Sequence, residues 1–154
     1  MRLAADLREF VELLRSNEVE FVVVGAVALG FHKLPRYTGD LDLFVRNSRK
    51  NAERIVESIR LFGFESLGLT ATDFESDDAV VQIGIAPNRI DILTRLSGVG
   101  FAEAWEHREE DLLDGIPVAF ISASNLIKNK LATGREQDLV DVKALRKRLG
   151  QTPE

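Results

Sequence analysis

Cysteine is absent from this chain of 154 residues, and histidine occurs only twice. The missing thiols exclude a disulfide-stapled scaffold, a cysteine nucleophile and a cysteine-ligated zinc site. Two isolated histidines do not supply the ligand set that a structural zinc ion requires. Secreted domains more often use cysteines, so their absence favours a reducing compartment.

Long hydrophobic runs are also missing. The longest apolar stretch, residues 21–31, is broken by Gly25, whereas a membrane-spanning helix needs about 20 consecutive apolar residues. The N-terminal segment MRLAADLREF contains acidic side chains where a signal peptide has an apolar core. We therefore expect no membrane partner, no secretion by that route and a cytoplasmic protein.

An excess of basic residues is the third absence. The chain has 20 lysines and arginines against 25 aspartates and glutamates, which gives a formal charge of −5. Broad, nonspecific binding to duplex nucleic acid depends on cationic side chains, so this composition argues against it. With 45% hydrophobic residues, no internal repeat and no long flexible linker, the chain is expected to form a single domain over residues 1–154.

Hydrophobic periodicity predicts an α+β fold, in which a small mixed β-sheet is flanked by helices. Helices are predicted over residues 3–16, 26–29, 49–62, 101–107, 123–133 and 136–149. Strands are predicted over residues 20–24, 40–45, 79–85, 89–93 and 118–121, with 79–85 and 89–93 forming a hairpin. The strands and helices do not alternate regularly, which disfavours a doubly wound sheet.

Two details concern the last two helices. Ser122 is the expected N-cap of helix 123–133, and Gly134 is its expected C′ residue. The final helix is expected to bury the apolar residues that recur at helical spacing, namely Leu139, Val142, Leu145 and Leu149.

The segment Asp40-Leu41-Asp42-Leu43 alternates acidic and apolar residues at the period of a β-strand, so both aspartates lie on one face. Two carboxylates on one face repel each other and raise each other's pKa unless a cation lies between them. Mg²⁺ is held by one or two carboxylates together with substrate phosphates, so the pair suits a metal that also contacts a nucleotide. The alternative is a solvated strand face whose charge is compensated by Arg36 or Arg95.

Two further residues give the aspartate pair a context. Gly25 ends an apolar strand and precedes a helix, where a missing side chain permits a positive φ and lets backbone N–H groups approach a triphosphate. Asp91 is the polar residue of Ile90-Asp91-Ile92 and is expected to face inward or into a cleft. Three carboxylates on two strands, with a glycine turn, are the parts of a two-metal site for phosphoryl transfer.

These residues resemble the motifs of the nucleotidyltransferase superfamily of the DNA polymerase beta type. The resemblance rests on Val24-Gly25-Ala26, on Asp40-Leu41-Asp42-Leu43 after the intervening residues 27–39, and on Asp91 in a later strand. Residues 31–42 are similar to the small bacterial nucleotidyltransferases related to the AbiEii toxins, and more distantly to antibiotic nucleotidyltransferases. Residues 122–141 resemble the closing motif of the same group. The resemblance covers about residues 20–147.

The resemblance implies a role for each matching residue. Asp40, Asp42 and Asp91 would be catalytic and would bind Mg²⁺ or Mn²⁺. The nucleotide would be contacted by Gly25, Ala26, Arg36, Thr38 and Lys130.

Four of the carried-over positions need a comment. Ala26 stands where the family has glycine or a small polar residue, and Gln137 replaces a lysine that is common in the last motif. Arg36 and Thr38 either contact phosphate or brace the loop before the strand. Lys130 and Asp138 either lie at the edge of the cleft or belong to a purely structural ion network with Asp141.

The implied function is transfer of a nucleoside monophosphate from a nucleoside triphosphate to a hydroxyl of a protein, of a tRNA end or of a small molecule. The alternative is a catalytically inactive nucleotidyltransferase-fold binding module, such as one half of a toxin–antitoxin pair. A haloacid-dehalogenase phosphatase is disfavoured, because its first aspartate ends a hydrophobic strand, whereas Asp40 follows the loop of residues 35–39. A glycosyltransferase with the same aspartate pair would normally need a longer chain.

Overall fold

The computed structural model describes residues 2–34, 39–64, 67–84 and 88–150. Its strands are β1 (Phe21–Val24), β2 (Asp40–Val45), β3 (Val80–Ile83), β4 (Arg89–Leu93), β5 (Glu109–Leu113) and β6 (Ile116–Phe120). Its α-helices are α1 (Ala5–Ser16), α2 (Gly25–Phe31), α3 (Arg49–Leu61), α4 (Phe101–Glu106), α5 (Ala123–Thr133) and α6 (Glu136–Arg148). A 3-10 helix, Ala71–Phe74, precedes β3.

The strands form one mixed sheet in the order β3-β4-β2-β1-β6-β5. In its centre, β2 pairs antiparallel with β1 and parallel with β4, and β1 pairs parallel with β6. Antiparallel hairpins β3-β4 and β5-β6 complete the two sides. The predicted α+β architecture and the predicted β3-β4 hairpin are confirmed, although residues 85–87 of that hairpin lie outside the described residues.

The sheet has two apolar faces because successive side chains of each strand point in opposite directions. Leu41 and Leu43 of β2 pack into a core with the inner faces of α1 and α3. Phe44 belongs to the opposite core, which includes residues of α2, α4, α5 and α6. By the same alternation, Asp40 and Asp42 share the face of Phe44, so the acidic pair lies on the face covered by these four helices.

The ends of α5 follow the predicted capping pattern. The Ser122 hydroxyl accepts a hydrogen bond from the Asn125 backbone N–H at 3.1 Å. Gly134 ends the helix in the left-handed conformation with φ +65°, which costs glycine nothing because it lacks a Cβ.

The prediction that α6 buries Leu139 and Leu149 is wrong. Both leucines are exposed, at 45% and 43% of their surface. The buried face of α6 consists of Asp138, Asp141, Val142 and Leu145, at helical spacing i, i+3, i+4 and i+7. The predicted burial of Val142 and Leu145 is confirmed, and the other two positions of the inner face are carboxylates that hydrophobic periodicity does not reveal.

Strand β5 was not predicted from the sequence. It is an edge strand of sequence EEDLL, and only its last residue is buried. An edge strand with no buried face shows no alternation of polar and apolar residues, so the pattern that reveals other strands is missing.

Among the described residues, none of the helices has the length and apolar character needed to cross a membrane.

Candidate active site

The three aspartates lie on two neighbouring parallel strands. Asp42 of β2 is directly opposite Asp91 of β4, and Asp40 is opposite Arg89. Asp91 is buried, with 9% of its surface exposed, whereas Asp40 and Asp42 are partly buried. The strand alternation seen in the sequence therefore brings three carboxylates onto one patch of the sheet, which we call the aspartate cluster.

The pKa of Asp42 is raised by its surroundings. Burial is the main reason that the pKa of Asp42 is raised to about 6. The charge of Asp91, a hydrogen bond with Asp91 and the charge of Asp40 act in the same direction, and only the charge of Arg89 opposes them. The neighbouring carboxylates thus add to the effect of burial on the pKa of Asp42.

Arg89 is a cation of the cluster that was not predicted from the sequence. Its Nε donates to Asp91 Oδ1 at 2.9 Å, and its Nη2 donates to Asp91 Oδ2 at 3.2 Å and to Asp40 Oδ2 at 3.0 Å. These carboxylates raise the pKa of Arg89, chiefly through the hydrogen bonds with Asp91. The signal was present: Arg89 precedes Asp91 by two residues, so strand alternation places both side chains on one face.

Arg89 is a cation that contacts Asp40 and Asp91. Charge compensation by Arg36 stays a prediction. Arg95 is exposed and follows the end of β4. Arg36 lies outside the described residues, as does Thr38.

Asp42 leaves no room for a side chain at Gly25. Gly25 begins α2 with φ +69°, a conformation that residues with side chains rarely adopt. A Cβ at this position would overlap Asp42 Oδ2 and would lie 3.0 Å from Asp42 Cγ. Because Val24 is opposite Asp42 in the β1-β2 ladder, the turn after β1 passes directly beside the aspartate. Ala26, the next residue of α2, is partly buried.

A divalent metal ion such as Mg²⁺ needs several oxygen ligands around one point. Among the residues that the structure describes, no group of three or more histidine, cysteine or acidic side chains could hold a metal ion as it stands. Asp40 and Asp91 instead share one nitrogen of Arg89. The donor chemistry fits a hard divalent cation, since carboxylate oxygens are the ligands that Mg²⁺ and Mn²⁺ prefer. An ion bound by these carboxylates would lie close to the guanidinium of Arg89, which contacts Asp40 and Asp91.

Lys130 lies in a buried ion network between α5 and α6. Its Nζ is 2.9 Å from Asp141 Oδ2 and 3.3 Å from Asp138 Oδ1. Asp138 also accepts hydrogen bonds from Thr133 Oγ1 and Arg135 Nε, both at 2.7 Å. These donors hold the pKa of Asp138 well below its usual range, with Arg135 contributing most. The structural alternative for Lys130 thus has a defined set of contacts, whereas its contact with nucleotide stays a prediction.

An open cavity of about 600 Å³ lies toward the end of β2 and β4 that is farther from Asp40. Phe44, Thr94, Arg95 and Phe101 are among its lining residues. Phe44 follows Asp42 by two residues on the same face of β2, so the cavity begins one strand repeat away from the aspartate cluster.

Comparison with known proteins assigns the chain to a family. The model of a family described as nucleotidyltransferase of unknown function (DUF6036) matches residues 2–149. The chain belongs to this family. No curated protein matches the sequence significantly.

Two solved structures are similar to this chain in fold. A protein from Thermotoga maritima, described provisionally as a nucleotidyltransferase, has a TM-score of 0.58 and 15% identity over 94% of this chain and 90% of that chain. The antibiotic-resistance factor ANT(2'')-Ia has a TM-score of 0.55 and 14% identity over 94% of this chain and 83% of that chain. At these identities the likeness concerns the fold. The predicted resemblance to nucleotidyltransferases is confirmed, and the narrower ones to the DNA polymerase beta type and to AbiEii-related proteins stay predictions.

Proposed function

We propose that this chain is a divalent-metal-dependent nucleotidyltransferase that moves a nucleoside monophosphate from a nucleoside triphosphate to a hydroxyl acceptor. The observation that supports this most is the pairing of Asp42 with Asp91 across parallel strands, with Asp40 joined to Asp91 through Arg89. Family membership and fold agree with the proposal.

Asp40, Asp42 and Asp91 would hold Mg²⁺ or Mn²⁺. When bound, such ions neutralise the phosphates and lower the pKa of an attacking hydroxyl. The raised pKa of Asp42 is consistent with this role, because burial, its main cause, and the nearby charges of Asp91 and Asp40 all disfavour an uncompensated carboxylate.

The triphosphate would lie beside the turn at Gly25 and Ala26, with Arg36, Thr38 and Lys130 as further proposed contacts. In the reaction, the acceptor oxygen forms a bond to the α-phosphorus, and the bond from that phosphorus to the bridging oxygen breaks. Pyrophosphate leaves with the electron pair of that bond, and the hydroxyl proton passes to water. The chain's own contribution is to place the α-phosphorus and the acceptor next to the aspartate cluster.

The acceptor is proposed to be a protein hydroxyl, the end of a tRNA or a small molecule. The cavity beside Phe44 and Phe101 offers about 600 Å³ on the same face as Asp42, which is room for an acceptor group. We also propose that the protein acts in the cytoplasm.

Calorimetric titration with ATP, CTP, GTP and UTP tests the metal requirement. Binding is expected with Mg²⁺ or Mn²⁺ and is expected to disappear with EDTA or in Asp42→Asn. Asp111→Asn is the matched control. Asp111 is exposed on β5, so this substitution removes the same charge far from the cluster. Equal nucleotide binding with and without EDTA would contradict the metal-bridged site.

The second candidate is a nucleotidyltransferase-fold binding module without turnover, such as one half of a toxin–antitoxin pair. The observation that favours it is the ion pairing of Asp40 and Asp91 with Arg89, which gives two of the carboxylates a protein partner. The two candidates differ in one result: the module binds nucleotide but labels no acceptor.

A further inference from the structure

Arg89 occupies both oxygens of Asp91 and one oxygen of Asp40 with three hydrogen bonds. A guanidinium that bridges two carboxylates lowers their mutual repulsion, and these charged hydrogen bonds are about twice as strong as neutral ones. A divalent cation bound by the same oxygens would lie within a few ångströms of this positive charge, which opposes its binding. The two cations therefore compete for one set of ligands.

The side chain of Arg89 can leave without disturbing the sheet. Its backbone is fixed at the start of β4, where its N–H donates to the Gly39 carbonyl at 3.3 Å and Arg89 pairs with Asp40 in the ladder. Its side chain is 32% exposed, and that of Asp40 is 36% exposed, whereas the side chain of Asp91 is only 12% exposed. The contact with Asp40 is thus the solvent-screened one and the easier to break.

We propose that Arg89 is a resident counter-cation that holds the aspartate cluster together before metal binds and whose guanidinium moves off Asp40 when the divalent ion enters. This inference rests on the proposed function, and it adds a positioning residue that sets the metal affinity of the site. Arg89 stabilises the metal-free fold and weakens metal binding by the same interactions. A residue that only braced β4 would not produce this opposite pair of effects.

Titration of Mn²⁺ into the nucleotide-free protein, followed by the loss of the free-ion paramagnetic resonance signal, measures the competition. In Arg89→Gln the dissociation constant for Mn²⁺ is expected to fall about tenfold or more, since up to three charged hydrogen bonds no longer need to be broken. Arg89→Lys, which keeps the charge but not the fork, is expected to lie between wild type and Arg89→Gln. Thermal unfolding in EDTA gives the second readout, and Arg89→Gln is expected to melt below wild type without metal and to gain more from added Mn²⁺.

Arg49→Gln is the matched control. Arg49 also bridges two carboxylates, Glu53 at 3.0 Å and Glu75 at 2.6 Å, on the exposed surface at the start of α3. Its replacement removes the same charge and is expected to leave Mn²⁺ affinity unchanged.

Three results separate this inference from the proposed function. Mn²⁺ binding that is equal or weaker in folded Arg89→Gln than in wild type overturns the inference, and the function stands if wild type still binds ATP with metal. Failure of wild type and Arg89→Gln alike to bind Mn²⁺, even with ATP present, overturns both. Tighter Mn²⁺ binding in Arg89→Gln supports the inference, whether or not any acceptor is labelled.

Discussion

The carboxylate of Asp42 fills the space that a side chain on Gly25 would need. Oδ2 and Cγ of Asp42 both lie within 3.0 Å of a Cβ built on Gly25, and the backbone of Gly25 has φ +69°. Replacement of Gly25 thus meets a steric barrier and a conformational one before any ligand is considered.

Gly25→Ala is expected to destabilise the fold, because the strained φ alone costs about 1–3 kcal/mol and the overlap with Asp42 adds to it. Chemical denaturation measures the loss. Gly30→Ala in the same helix is the control, since a Cβ there meets nothing within 4 Å and alanine favours the helix by up to about 1 kcal/mol.

A double-mutant cycle separates the two barriers. In an Asp42→Ala background the two closest atoms are gone, so Gly25→Ala is expected to cost less than in wild type. The strain of φ and the tight contact with the Cβ of residue 42, at 3.2 Å, remain. The same cost in both backgrounds would show that Asp42 does not explain the glycine.

The stability of the metal-free protein is expected to fall as pH rises from about 4 to about 6. Asp42 has a pKa raised from 3.8 to about 6. Over this window the folded state binds more protons than the unfolded state, so each rise in pH favours unfolding, and the penalty stays constant above it. With screening by solvent, about 1–2 kcal/mol is expected.

Denaturation curves in EDTA at several pH values check this, with Asp42→Asn as the comparison. The variant is expected to lose the Asp42 part of the pH dependence and to be more stable than wild type at pH 7. Parallel pH profiles for the two proteins would show that Asp42 titrates at its ordinary pKa.

The ion pairs of Lys130 with Asp138 and Asp141 are expected to stabilise the packing of α5 against α6. Asp138 is 2% exposed, so Asp138→Asn leaves buried donors without their charge partner and is expected to cost at least about 3 kcal/mol at pH 7. The pKa of Asp138 is lowered from 3.8 in the folded state. The contribution of Asp138 to the free energy of unfolding is therefore fully present above pH 3.8 and is lost as the pH falls below 3.8 toward the lowered pKa.

Glu136→Gln tests whether position or charge matters on α6. Glu136 is an exposed acidic residue in the same first turn, and its loss is expected to cost at most about 1 kcal/mol through the helix dipole. Equal destabilisation by both substitutions would show that the buried network is not what holds α6.

The parts of the fold that the sequence predicted are those with a visible hydrophobic period. Leu41 and Leu43 alternate with Asp40 and Asp42, and this pattern was sufficient to place the acidic pair on one face. The pairing of Asp42 with Asp91 could not be predicted, because the order and register of strands depend on contacts between distant segments.

The errors arise where charged residues take buried or edge positions. Asp138 and Asp141 occupy the inner face of α6, and their burial is tolerable because Lys130 and other donors contact them. Arg89 was overlooked for a related reason: its sequence position follows alternation, but its importance depends on Asp40 being its ladder neighbour.

Transfer of a nucleoside monophosphate at the aspartate cluster is tested by incubating wild type and Asp91→Asn with Mg²⁺, a cell extract and each of the four nucleoside triphosphates labelled at the α-phosphate. With wild type, label is expected on a protein, an RNA or a small molecule. In Asp91→Asn this label is expected to be lost while nucleotide affinity is largely kept. Absence of label with all four nucleotides, despite metal-dependent nucleotide binding, would contradict the transferase and leave the binding module.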